Sequence, residues 1–247
     1  RPKFWDGTSR LAVASWDGRG EVDVTVFDPG SDKVTQINLP ENLQVEAAFN
    51  LGTWNAGSLW ELGEQHKIGG GRVLSASLTK SLSLPIEAYL TDNQTNLNLG
   101  DRIAIFAFKF AIKEASQIQL DLAETNFLYK DALADGSLGY KTRQTPPLAI
   151  TTIFADSEII AEGKSVVLVD QSGSREKVQK VGRIIEVLGT KIIAVRSEEI
   201  EDNLDCTVSP KGSILSQKIS QVFNCSQIKG DSQKVEVTFG KKFLERF

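Results

Sequence analysis

Few side chains in this sequence could do chemistry, and they are scattered. His66 is the only histidine among 247 residues. A Ser–His–Asp relay needs a nucleophile held against such a base, and no G-x-S-x-G turn is present, so hydrolase chemistry is set aside. One histidine and no C-x-x-C also exclude a zinc site of the usual kind. Gly69-Gly70-Gly71, ahead of a helical pattern, could cradle an anion, but no G-K-[ST] follows and a plain loop is the simpler reading. Gln171-Ser172-Gly173-Ser174 could hold a phosphate at a helix N-terminus, although Ser174 acting as an N-cap explains the same residues. Trp54 and Trp60 could stack on sugar rings, with packing in the core or a loop as the competing reading. Cys206 and Cys225 are either a disulfide or two buried thiols. A disulfide would stabilise by roughly 3 kcal/mol and mark an oxidising compartment.

The elements that must position these residues are clearest in the last third. Residues 165–169 form a β-branched run that enters a polar turn. Val178, Val181, Ile185 and Leu188 then recur at helical spacing, Gly189 sits where a helix ends, and residues 192–195 are a second apolar run. This strand–helix–strand unit implies parallel strands and a right-handed crossover. A weaker copy runs through residues 206–208, a helix in 211–223 and an alternating strand at 235–239. Together they predict a four-stranded βαβ-βαβ module with both helices on one face and an open sheet face for docking.

The earlier part reads as a mixed sheet with helices. Residues 1–6 look like the tail of a linker. Strands are expected at 11–16, 21–27 and 33–39, joined by polar turns into a meander. Residues 50–57 read as loop, 59–66 and 72–82 as helices, and 84–90 as a strand. The run 103–112, with its three phenylalanines, reads as a buried strand, and 115–122 is ambiguous. A short helix is expected at 128–134, loop at 135–147, and a strand or connector at 148–155. The domain boundary falls between about 155 and 163, giving domains 1–157 and 158–247.

Net charge of −4 and a pI near 5.3 argue against nucleic acid, which needs a basic footprint, and anionic membrane surfaces gain nothing from this charge either. No window reaches the ~18 apolar residues of a membrane span. Methionine is absent, position 1 included. The expectation is therefore a processed product or an excised piece, with a signal peptide or anchor removed.

Taken in order, these segments resemble a known family. Phe154-Ala155-Asp156 onward, through Val166-Val167-Leu168-Val169-Asp170-Gln171-Ser172-Gly173, resembles the C-terminal module of LytR–CpsA–Psr cell-envelope proteins, with Asp170-Gln171 in place of the usual Asn-Gly. The segment from Leu11 to Gly20, A-V-A-S-W-D-G-R-G at its core, is similar to that family's first strand, L-L-L-G-x-D-x-R. Ile37-Asn38-Leu39-Pro40-Glu41-Asn42 stands where the family has S-I-P-R-D. Gly69-Gly70-Gly71, a helix, and Leu84-Pro85-Ile86-Glu87-Ala88-Tyr89 fit its G-G, helix, G-I-P-I-D-Y segment. The resemblance covers about two thirds of the chain.

The family moves glycopolymer from a polyprenyl pyrophosphate carrier to the cell wall, which needs arginines against the diphosphate and carboxylates for a divalent cation. Here Glu41 and Asn42 replace the Arg and Asp of P-R-D, Gly20 falls where an acidic residue is expected (Glu21 is one step away), and Tyr140-Lys141-Thr142-Arg143-Gln144 only echoes the arginine-rich segment. The resemblance thus implies a non-catalytic extracytoplasmic protein, membrane-anchored in its full-length form and without a cofactor. It would bind cell-wall glycopolymer, a polyprenyl-linked precursor or an envelope protein. Two alternatives stand beside it. One is an active phosphotransferase with Mg, in which Asp17, Arg19, Arg72 and Arg143 converge. The other is a structural interaction module using the open sheet.

Overall fold

The computed structural model describes residues 4, 5, 7–132, 136–230 and 233–247. Strands β1 (Leu11–Trp16), β2 (Val22–Asp28) and β3 (Lys33–Leu39) form the expected antiparallel meander. Its alternation is what sorts the side chains: Val22, Val24 and Val26 share one face with Ala12, Ala14 and Ile37 in the main core, while Val13, Phe27 and Val34 line the other. Residues 50–57 are not simply loop. They carry β5 (Gly52–Asn55), which pairs with β4 (Gln44–Ala47), and positive φ at Phe49, Asn50 and Gly52 turns the chain between them. Helices α1 (Leu59–Gln65) and α2 (Gly70–Leu82) cover the first face. Of the strand expected at 84–90 only β6 (Ala88–Leu90) forms, parallel to β1; Pro85 has no N–H to give a ladder.

The largest departure is α3 (Leu99–Ala111), a helix where a buried strand is expected. Asn98 accepts from the Asp101 N–H while the Asp101 carboxylate accepts from the Asn98 N–H, a capping box that starts the helix. The same buried carboxylate takes the N–H groups of Phe4 and Trp5. Trp5 is 1% exposed and packs edge-on to Phe108, so this stretch belongs to the core and is no linker tail; residues 1–3 and 6 lie outside the described residues. Next come β7 (Gln117–Asp121), parallel to β3 at the sheet edge, and the hairpin β8 (Leu128–Ala132) with β9 (Leu138–Thr142). That hairpin replaces the expected short helix and loop; residues 133–135 are outside the described residues. The stretch read as strand or connector is helix α4 (Leu148–Phe154), with Pro147 at its N-cap, and α5 (Ser157–Glu162) follows. Ile150 and Phe154 join the first core and Ile159 the last one.

The remaining elements are β10 (Val166–Gln171), α6 (Arg175–Val187), β11 (Ile192–Ser197), β12 (Cys206–Ser209), α7 (Ile214–Phe223), the two-residue β13 (Ser226–Gln227), β14 (Val235–Gly240) and α8 (Lys241–Arg246). Their sheet runs β11-β10-β14-β12-β13. β10, α6 and β11 make the parallel unit that the periodicity predicts. The second unit closes differently: α7 returns to β13 beside β12, and β14 then enters the centre, parallel to β10 and antiparallel to β12. Val166, Leu168, Val235 and Val237 share one core with the apolar residues of α6 and α7, so both helices sit on that face. On the other face Val167 and Val169 are also buried, flanked in the ladder by Arg196 and Glu236. Cys206 and Cys225 form a disulfide.

A buried charge cluster fastens the two halves. Lys218 of α7 is 4% exposed and lies 3.5 Å from Glu87 Oε1 and 4.0 Å from Asp156 Oδ2, and its ammonium donates to the Arg10 carbonyl. Glu87 Oε2 accepts the Ala12 N–H and Asp156 Oδ2 the Arg10 N–H, both at 2.8 Å. Gln221 Nε2 adds a bond of 2.6 Å to the Phe4 carbonyl.

Candidate functional site

The carboxyl ends of β1 and β6 open into a cleft, the place where open α/β sheets bind ligands. Its walls are Trp16 and Trp60, and its floor and rim are Asp17, Gly18 and the turn Thr91-Asp92-Asn93-Gln94, enclosing about 160 Å³. The two indoles stack at 5.5 Å with 5° between planes, and Tyr89 meets Trp60 edge-on at 5.9 Å. Trp16 Nε1 donates to the Gly57 carbonyl, which fixes its ring. Trp60 is 5% exposed and backs Trp16, which is only half-buried.

The glycine run earns its composition here by packing. A Cβ on Gly70 would sit 2.7 Å from the Trp60 ring and one on Gly71 2.1 Å from the Tyr89 ring. The Gly70 N–H is already held by Glu64 Oε1 at 2.8 Å, so a carboxylate of this chain occupies the N-terminus of α2 where an anion would go. Ser174 does stand at the N-cap of α6, but its hydroxyl caps nothing; Asp170 organises the turn by accepting from the Ser172 N–H and hydroxyl.

Asp17 Oδ1 accepts the N–H groups of Arg19 (2.8 Å) and Glu21 (2.9 Å). The bond from the Arg19 backbone above all holds its carboxyl below the usual range, so Asp17 is anionic at neutral pH. Asp92 is the second carboxylate on the cleft, and no arginine lines it among the described residues. Among the described residues no group of three His, Cys, Asp or Glu could hold a metal ion, so two carboxylates are all the first cleft offers a cation.

The four residues of the phosphotransferase alternative are not gathered into one lining. Asp17 is in the first cleft and Arg19 is exposed in its turn. Arg72 lines a second cleft of about 290 Å³ between the two halves, with its guanidinium over the Phe49 ring at 5.7 Å. Arg246, on the same cleft, is spent on Asp205 and the Phe223 carbonyl. Arg143 lies over Tyr129 and donates to the Asn126 carbonyl, lining neither cleft. Glu41 is exposed in the turn after β3, also away from both, and Asn42 is engaged with Leu138 and Tyr140. His66 is an exposed helix end. Of the two tryptophans singled out, Trp60 is in the cleft; Trp54 is 43% exposed on the β4–β5 hairpin, tied to the Leu51 carbonyl. The residues missed are Trp16, whose place at the last position of β1 is itself the signal, and Asp92, Asn93 and Gln94, in the turn that follows β6.

The chain is thus an α/β protein of two mixed sheets with helices, and its site lies at strand carboxyl ends. No family model and no curated protein matches it. Solved structures similar to it include LytR-CPS2A-psr family proteins. TagT of B. subtilis is 13% identical, covering 58% of this chain and 89% of that one, with a TM-score of 0.44. YwtF (TagT) with bound octaprenyl pyrophosphate lipid is 13% identical over 58% and 88%, with a TM-score of 0.42. A structure titled a transcriptional regulator from Enterococcus faecalis is 9% identical over 74% and 89%, with a TM-score of 0.43.

Proposed function

We propose that this chain binds a sugar unit of a cell-envelope glycopolymer, free or on its polyprenyl-linked precursor, in the Trp16–Trp60 cleft, and does not transfer it. The observation that carries this is the meeting of a rigid indole platform with Asp92, Asn93 and Gln94 in one cavity. An aromatic face takes the C–H side of a pyranose, and short amide and carboxylate side chains take its hydroxyls. A volume of about 160 Å³ suits one ring, below the several hundred of a drug-sized pocket. Two carboxylates and no lining arginine make the cleft hostile to a diphosphate, which supports binding over phosphoryl chemistry. The resemblance in sequence supplies the envelope context, and the disulfide agrees with an oxidising, extracytoplasmic place.

The test is titration of the protein with oligosaccharide fragments of cell-wall glycopolymer, read by tryptophan fluorescence and calorimetry. Trp16→Ala and Asp92→Ala should each weaken binding at least tenfold; melting should be unchanged in Asp92→Ala, whose side chain is exposed, and lower in Trp16→Ala, which also gives up its packing on Trp60. Binding that ignores both would refute the site. Turnover of a lipid-pyrophosphate sugar donor, lost in Arg19→Ala or Arg72→Ala, would refute the absence of catalysis.

A further inference from the structure

Helix α3 buries one side and leaves the other bare. Ile105, Phe108 and Ile112 pack on the core of Trp5 and Phe27, whereas Leu99, Ile103, Phe106 and Phe110 are 70%, 60%, 72% and 86% exposed. These four recur at i, i+4, i+7 and i+11, a single stripe down the helix. Such a stripe exposes on the order of 500 Å² of apolar surface, among the larger patches a soluble protein carries. Arg102 and Lys109, seven residues apart, stand on one flank of it, and Lys113 follows just beyond the helix end. All three are exposed and none makes an ion pair among the described residues. Between Arg102 and Lys113 the sequence has no Asp or Glu, in a chain with 32 acidic residues against 28 basic.

From this geometry we infer that α3 rests in the headgroup plane of an anionic bilayer, its four large side chains inserted and its basic flank on lipid phosphates. An apolar stripe with cations beside it is what a helix lying in a membrane interface presents. A second copy fits the stripe less well. The area falls short of the ~800 Å² per partner of a standard interface, and a twofold pairing would bring Arg102 and Lys109 towards their own duplicates with no carboxylate to answer them. The net charge of the whole molecule works against this contact, so attraction depends on the local patch and is sensitive to salt.

The experiment is co-sedimentation of the full chain with vesicles of phosphatidylcholine alone and with one third phosphatidylglycerol, alongside sedimentation velocity without lipid. Binding to the anionic vesicles, weakened at high salt, is expected. Phe106→Glu with Phe110→Glu should reduce it at least tenfold while leaving the circular dichroism melt in place, because both side chains are exposed. Arg102→Gln with Lys109→Gln should reduce it about 25-fold, taking about a fivefold loss per basic residue near an anionic surface. Failure to bind anionic vesicles, or binding indifferent to the phenylalanines, overturns the inference. So does a concentration-dependent dimer that the same phenylalanine pair abolishes and that leaves no vesicle binding.

Discussion

Replacing Lys218 by Met removes a cation that faces two buried carboxylates. Glu87 then loses a partner at 3.5 Å, Asp156 one at 4.0 Å, and the Arg10 carbonyl a donor. At an effective dielectric of 20, a contact of that length is worth about 4 to 5 kcal/mol, and breaking buried pairs from one side costs about 3–5 kcal/mol. A loss of that size, against a typical total of about 5–15 kcal/mol, would leave the protein close to unfolding. The pH dependence carries the diagnosis. Burial, more than any other influence, pushes the Glu87 carboxyl above its ordinary value of 4.5, and Lys218 pulls it back. The folded state therefore holds more protons than the unfolded one from about pH 4.5 up to the folded value, and stability falls as pH rises through that window. Without Lys218 the window extends further up, so the deficit of Lys218→Met should be smallest near pH 5 and grow towards pH 7.5. Adding Glu87→Gln, whose amide oxygen can still accept from Ala12, should recover part of it. Urea unfolding of the parent and the two variants at both pH values measures this. A Lys218→Met protein within about 1 kcal/mol of the parent at pH 7.5, or a deficit equal at both pH values, would refute the reasoning.

Two further expectations concern packing and covalent closure. Gly71→Ala places a methyl 2.1 Å from the Tyr89 ring; the displaced ring should cost about 1–3 kcal/mol by thermal unfolding and change the near-ultraviolet dichroism of the Trp60 contact. Cys206→Ala with Cys225→Ala opens a closure of 19 residues and should lower unfolding free energy by roughly 3 kcal/mol, and the parent should gain two hydrogens in mass on reduction.

Where sequence and structure agree, one periodicity dominates. β2 alternates cleanly, and α6 carries its apolar residues on one side with charges on the other. The failure at α3 has a physical cause: with both faces apolar, I-A-I-F-A-F-K-F-A-I shows no helical contrast and looks like an interior strand. What settles the matter is Asn98 and Asp101, three residues apart, which lies before the run. The β8–β9 hairpin fails for the opposite reason, since Tyr129, Lys130 and Lys141 leave it without a buried alternation to detect. Pro146-Pro147 suggests a loop, yet Pro147 starts α4. At the site, composition could nominate Trp60 but not its partner, because the pairing depends on α1 folding back over the end of β1. The scattering of Arg72 and Arg143 likewise follows from tertiary placement.

The junction between the halves is nailed down at Asp156: its N–H goes to the Leu188 carbonyl, while its carboxylate takes the N–H groups of Arg10 and Glu158. A swivel at that point would have to break the bond from Arg10 and pull Lys218 out of its seat. With α3 on lipid and a sugar on Trp16, the first sheet becomes the spacer between them, since Leu11 and Val13 of β1 pack in one core with Ile105 and Phe108 of α3, and it sets how far above the membrane a polymer chain is held.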